Sequence, residues 1–281
     1  MDDRKLPFLD HLGELRTRLR NAIIALAVGC SIAFWWSKAL YGLLTRPLEE
    51  SWVAVLPGTT PRLSFGSLTE PFWVYFELSL YAGVFVASPV IFHQLWRFIA
   101  PGLYEKEKRV AVPFAICSAI MFIGGALFCY YLVLPAAFKF LLSYSEENIG
   151  HIREAFGLID IHVAGPLSIQ PTLFMSQYLD LTTRMILAFG LVFEMPLLIF
   201  FLSYAGLVTH RKLWKFNKYW TILAFVVGGI LTPGPDIISQ LLMAAPLIVL
   251  YNLSIIIAYV VTRRKEREAV AAAGPAETPP T

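Results

Sequence analysis

The sequence predicts an all-α membrane protein with six transmembrane helices and both termini on the cytoplasmic side. Three observations carry that prediction. Of the 281 residues, 57% are hydrophobic and only 15% charged, with mean hydropathy +0.62; soluble domains carry roughly 25% charged residues. Six apolar segments follow one another, at residues 21–40, 72–95, 110–134, 181–204, 219–232 and 237–261. Finally, Lys and Arg gather in alternate connections, which fixes the orientation.

The first segment just reaches the ~20 residues that cross a hydrocarbon core, and four others approach or exceed it. The fifth is short. Between Lys218 and Pro233 it offers 14 residues, about 21 Å at ~1.5 Å each, against a core ~30 Å thick. Charge decides that it nevertheless spans. One side collects Arg4, Lys5, Arg16, Arg18 and Arg20; Arg97, Lys106, Lys108 and Arg109; Arg211, Lys212, Lys215 and Lys218; and Arg263, Arg264, Lys265 and Arg267. These are 17 of the 23 basic residues; the other six are Lys38, Arg46, Arg62, Lys139, Arg153 and Arg184. Segments five and six then form a hairpin whose tip, Thr232-Pro-Gly-Pro-Asp236, is a turn signal.

Two long loops are expected on the exported side. The first, 41–71, carries Pro47, Pro57, Gly58 and Pro61 and reads as irregular. The second, 135–180, is expected to hold two short interfacial helices, at 136–144 and 174–179. Residues 1–262 form one transmembrane domain. The tail 263–281, rich in Ala, Pro, Glu and Thr towards its end, reads as disordered and cytoplasmic. Cys30, Cys117 and Cys129 lie in apolar stretches without metal-ligand spacing and read as small buried thiols.

Polar residues in apolar surroundings single out candidate sites. Glu194 interrupts the fourth segment, with no basic residue in the run around it. A carboxylate near the bilayer centre costs at least ~2.5 kcal/mol, so it should face protein or water. It either serves function or hydrogen-bonds two helices together. Residues 8–20 form an amphipathic helix with Phe8, Leu12, Leu15 and Leu19 on one face and Asp10, Glu14 and Arg18 on another. The plain reading of that second face is a solvated Glu14–Arg18 pair, and of His11 a surface histidine. After segment two, Pro101-Gly102 breaks the helix, and Glu105 and Glu107 stand where a helix N-terminus favours negative charge. With Glu14, Glu107 gives two carboxylates at one cytoplasmic edge, framed by Phe98, Leu103 and Tyr104. That edge suits an apolar peptide with a cationic end, and paired N–H donors favour arginine over lysine. Asp236 is placed to cap the sixth helix, and Gln240 lies one turn on, seeking a partner helix.

The sequence lacks His-Glu-x-x-His, Gly-x-Ser-x-Gly, a phosphate loop and any clustered His/Cys set. Catalysis, metals and cofactors are therefore not expected, nor is a nucleic-acid partner.

Four stretches resemble the signature of the TatC family, the multi-spanning subunit of the twin-arginine protein translocase. They are His11-Leu-Gly-Glu-Leu-Arg16, Phe98-Ile-Ala-Pro-Gly-Leu-Tyr-Glu-Lys-Glu-Lys-Arg109, Phe189-Gly-Leu-Val-Phe-Glu-Met-Pro196 and Leu231-Thr-Pro-Gly-Pro-Asp-Ile-Ile-Ser-Gln240. The resemblance implies a cupped bundle of six helices, the fifth and sixth short, in the bacterial inner membrane. It implies recognition of the twin-arginine signal peptides of folded cargo and transport driven by the proton-motive force. It also implies assembly with single-span TatA and TatB, with other copies of the chain and with lipid. Carried over motif by motif, Glu14 and Glu107 would contact the arginine pair, with Arg16, Phe98 and Leu103 shaping that site. Glu194 would be the intramembrane acid on the concave side. Asp236 and Gln240 would lie where partner helices dock, while Pro47 and Pro89 would be structural positions in the first loop and second span. The second loop is longer than the pattern implies, and Asn252 stands where an acid would be expected. Two alternatives remain: a proton-coupled small-solute transporter with Glu194 as carrier, and an assembly scaffold without recognition. A transporter usually shows repeat symmetry and several intramembrane charges, and the sequence shows neither.

Overall fold

The computed structural model describes residues 6–99, 111–143, 172–232 and 237–272. Leu103, Glu105, Glu107, the hairpin tip with Asp236, residues 144–171 and the tail after Ala272 lie outside the described residues.

The chain is helical nearly throughout. Helix α1 (Leu6–Trp35) joins the amphipathic stretch to the first apolar segment without a break. Trp36 ends it with non-helical backbone, and α2 (Ser37–Val55) starts at once. Strand β1 is Leu63–Ser64, and α3 is Glu70–Ile99. Helix α4 (Ala111–Phe128) passes through one π-turn, Cys129–Val133, and continues helically to Ser143. Strand β2 is Leu173–Phe174. Then come α5 (Met175–Phe193), α6 (Met195–Tyr204), α7 (His210–Leu231) and α8 (Ile237–Ala272). Among the described residues, five stretches are long and apolar enough to cross a membrane: His11–Trp35, Glu70–Ile99, Val112–Ser143, Met175–Tyr204 and Gln240–Arg264. The protein is a multi-pass membrane protein, and α7 is not among the five.

Several expectations need correction. The first loop is not irregular over 37–55, because Pro47 sits inside α2. Proline has no N–H and strands the carbonyl one turn earlier, here that of Leu43. The Tyr130 hydroxyl donates to that oxygen at 2.8 Å, and the Tyr178 hydroxyl to the neighbouring Leu44 carbonyl at 2.5 Å. The helix survives its proline because the Tyr130 hydroxyl satisfies the stranded carbonyl from outside, and Tyr178 adds a bond at the next one. Pro89 in α3 is handled from within: its stranded carbonyl, Phe85, accepts from the buried Ser88 hydroxyl at 2.8 Å.

The two expected interfacial helices are not separate elements either. Residues 136–143 continue α4, since the π-turn just before Pro135 absorbs the missing N–H. Residues 175–179 are the first turn of α5, preceded by β2, which pairs in parallel with β1 through Leu63–Leu173 and Ser64–Phe174. The fourth segment is divided at Glu194, with Pro196 opening α6. The sixth helix is long, not short, and runs to Ala272 through residues assigned to a disordered tail. That stretch, Arg263-Arg-Lys-Glu-Arg-Glu-Ala-Val-Ala-Ala272, consists almost wholly of strong helix formers. Helix α7 likewise exceeds its apolar part by beginning at His210. Cys129 is buried, but Cys30 is only partly covered and Cys117 is exposed.

Packing relies on close approach at glycines. A Cβ on Gly83 of α3 would lie 2.5 Å from Cys30 Sγ of α1, and one on Gly125 of α4 would lie 2.5 Å from the Phe189 carbonyl of α5. Such small-residue contacts let helices associate where apolar burial gives no drive. Chain reversal between α6 and α7 uses Gly206 at φ 76°, with the Leu207 amide donating back to Leu202 O at 2.9 Å.

Candidate functional site

At the end of the bundle where α1 begins and α3 finishes, five side chains form two contacts between the helices. Glu14 and Arg18 stand one turn apart on α1, and Arg18 Nη2 lies 3.0 Å from Glu14 Oε1. The other arm, Nη1, donates to Gln94 Oε1 of α3 at 3.4 Å. One turn beyond Gln94, the Phe98 ring stacks on His11 of α1, with centroids 4.5 Å apart and planes 14° apart. The two α1–α3 contacts hold Glu14 beside the last turn of α3. Both partners of the ion pair are largely covered, with 20% of Arg18 and 28% of Glu14 side-chain surface exposed. Arg16 points outward and is exposed, as are Leu12, Leu15 and Leu19.

Glu14 and Phe98 thus lie on neighbouring helices joined by the Arg18–Gln94 and His11–Phe98 contacts, while Leu103 and Glu107 fall outside the described residues. Gln94 was not singled out from the sequence, although its i, i+4 spacing to Phe98 put both on one face of α3. His11 is exposed, as read from the sequence, and in addition forms one half of a stacked pair.

The same last turn of α3 reaches a second polar group. The Trp96 indole N–H donates at 2.8 Å to the hydroxyl of Ser118 on α4, which is fully buried. Having accepted that bond, the Ser118 hydroxyl has its own proton free, and it faces the Glu194 carboxyl, as does backbone at Phe122. Glu194 occupies the break between α5 and α6, and the packed rings of Trp96, Phe114 and Phe201 lie alongside. Glu194 Oε1 is buried and has no hydrogen-bond partner among the described residues. The carboxyl is thus anchored on one side and unsatisfied on the other.

The remaining candidates have structural partners. Gln240 of α8 donates through Nε2 to the Phe225 carbonyl of α7 at 2.7 Å. Gly228 and Gly229 make room for it: a Cβ on Gly229 would lie 3.0 Å from Gln240 Nε2. Asn252, also on α8, accepts from the Asn217 amide of α7 at 3.2 Å. The hairpin thus uses its own polar groups to hold itself closed. Asp236 is outside the described residues. Glu70, which sequence reading passed over, ties the two long loops together by accepting from the Gly66 amide at 2.6 Å and the Ser176 amide at 3.1 Å. Among the described residues, no three or more His, Cys, Asp or Glu group as metal ligands would.

A family profile described as "Sec-independent protein translocase protein (TatC)" matches residues 10–246. The Sec-independent protein translocase protein TatC of Koribacter versatilis is 38% identical over 267 residues, covering 94% of this chain and 90% of that protein. The TatC of Aquifex aeolicus is 38% identical over 261 residues, covering 93% and 98%. A crystal structure of the twin arginine translocase receptor TatC superposes with a TM-score of 0.73 at 38% identity, covering 90% of this chain and all of that one. A second, of the receptor in DDM, gives 0.72.

Proposed function

The chain belongs to the TatC family of Sec-independent protein translocase proteins, and from that premise we infer that it is a signal-peptide receptor and core subunit of a twin-arginine translocase. It takes part in protein transport.

The observation that carries the receptor reading is the held carboxylate of Glu14. It lies at the end of the bundle assigned by charge to the cytoplasm, partly exposed, with its Oε1 fixed by Arg18 and its second oxygen left for an incoming donor. A guanidinium of the signal docks there, and Glu107 from the loop after α3 receives its neighbour. Charge-assisted, paired N–H donors make arginine the fitting partner. Arg16, Phe98 and Leu103 shape the surroundings. The signal's apolar segment then lies against the bundle, with Glu194 as the intramembrane acid. TatA- and TatB-type single-span subunits dock along α7 and α8 near Asp236 and Gln240. Further copies of the chain and lipid complete the assembly. Six spans, with α7 as the short fifth, cross the inner membrane and leave both termini in the cytoplasm. The proton-motive force drives transport.

The test is complementation. Cells lacking this chain should retain a folded reporter bearing a twin-arginine signal in the cytoplasm, and export should return with the chain. Unchanged export in its absence would contradict the reading, and uptake of a small solute that follows the chain would favour the transporter instead.

A further inference from the structure

Arg18 presents a difficulty for a receptor of arginine: the acceptor carboxylate already holds one. Its guanidinium does not swing freely, as the side chain of an exposed i, i+4 pair does. One arm bonds Glu14 Oε1 at 3.0 Å and the other bonds Gln94 Oε1 at 3.4 Å on a different helix. The Nε between them is buried without a hydrogen-bond partner among the described residues, so the group is packed in place from two sides. Because both charges are largely covered, they are screened less than a surface pair would be.

Two consequences follow for a cation arriving at Glu14. Its charge is already cancelled, so the cation meets a nearly neutral pair and gains little from simple attraction. The geometry, by contrast, is sharpened. With Oε1 held, Oε2 keeps a fixed direction and accepts a single N–H, which a rigid planar guanidinium presents at a set angle. A lysine ammonium is a compact, strongly hydrated point charge and depends on the monopole that Arg18 has removed. We propose that Arg18 is a specificity-determining residue: by occupying half of Glu14 and all of its charge, it makes the site select guanidinium over ammonium. The proposal rests on the receptor reading given above.

The experiment uses the full-length chain in nanodiscs. Binding of a fluorescent twin-arginine signal peptide, and of the same peptide with both arginines changed to lysine, is titrated at low and high salt. Wild type, Arg18→Gln, Arg18→Lys and Glu14→Ala are compared, with size-exclusion profiles as the folding check. Arg18→Met, which keeps the buried stem, substitutes if Gln is not tolerated. In Arg18→Gln the preference for the arginine peptide over the lysine peptide should fall about fivefold. Binding should also become more sensitive to salt, because the Glu14 charge is unmasked. Arg18→Lys keeps the charge and should keep the wild-type preference. An unchanged preference in Arg18→Gln, or equal weakening of both peptides, overturns the proposal and leaves Arg18 as a packing brace. If Glu14→Ala binds the arginine peptide as well as wild type does, the receptor reading itself fails and takes this proposal with it. Loss of binding in Glu14→Ala together with an unchanged preference in Arg18→Gln condemns the proposal alone.

Discussion

Glu194 is a carboxyl group with one satisfied side. Ser118, itself oriented by Trp96, faces it, and its Oε1 has no partner among the described residues. If its role is to present a polar group, Glu194→Gln keeps both the acceptor for Ser118 and a polar atom at the break between α5 and α6. Export of a twin-arginine reporter by that variant should stay within about twofold of wild type in mildly acidic and mildly alkaline buffer alike. Glu194→Leu leaves the Ser118 hydroxyl against carbon and should lower export about tenfold, the scale of one lost buried hydrogen bond. An inactive Gln variant would instead put proton transfer into the mechanism. Glu194 stood out in the sequence because a carboxylate amid apolar residues needs an explanation, and Glu14 because it pairs with Glu107 at one cytoplasmic edge. Gln94 and Glu70 did not. A glutamine near a helix end and a glutamate in a first turn are unremarkable locally. Their roles depend on Arg18, 76 residues away, and Ser176, 106 residues away.

Elements show the same division. The apolar cores of the spans were legible because hydropathy is a property of the segment itself. Helix α2 was not, since Pro47, Pro57, Gly58 and Pro61 read as breakers and the remedy for Pro47 comes from α4. The Tyr130 hydroxyl is the donor to the carbonyl that Pro47 strands. Tyr130→Phe should therefore cost about 1 kcal/mol, the penalty for an acceptor left without its donor. Tyr178→Phe should cost less, because the Leu44 carbonyl faces the Leu48 N–H of the same helix. Thermal unfolding of the full chain in detergent measures both, and equal or negligible losses would mean that α2 tolerates its proline by other means. The joined loops had no local signal at all: a two-residue parallel pair and one carboxylate bring Leu63 and Leu173 together across more than a hundred residues.

Across the whole molecule, the last turn of α3 has a distinctive position. Gln94 and Phe98 contact α1 at Arg18 and His11, while Trp96 between them reaches Ser118 and, through it, Glu194. A peptide seated at Glu14 would press on the same turn that orients the intramembrane acid, which links the two polar sites by packed side chains. The helical class of the molecule could be read from composition, and the basic residues gave an expected orientation. The course of α2, the length of α8 and the meeting of the two loops could not, because contacts between distant segments decide them. The most direct test of the receptor claim is cross-linking of a twin-arginine peptide, carrying a photoreactive group beside its arginine pair, to the full-length chain with its partner subunits present. Glu14→Ala combined with Glu107→Ala should abolish the peptide adduct and leave adducts between the chain and its partners intact. A peptide adduct of undiminished yield in that double variant would contradict the claim.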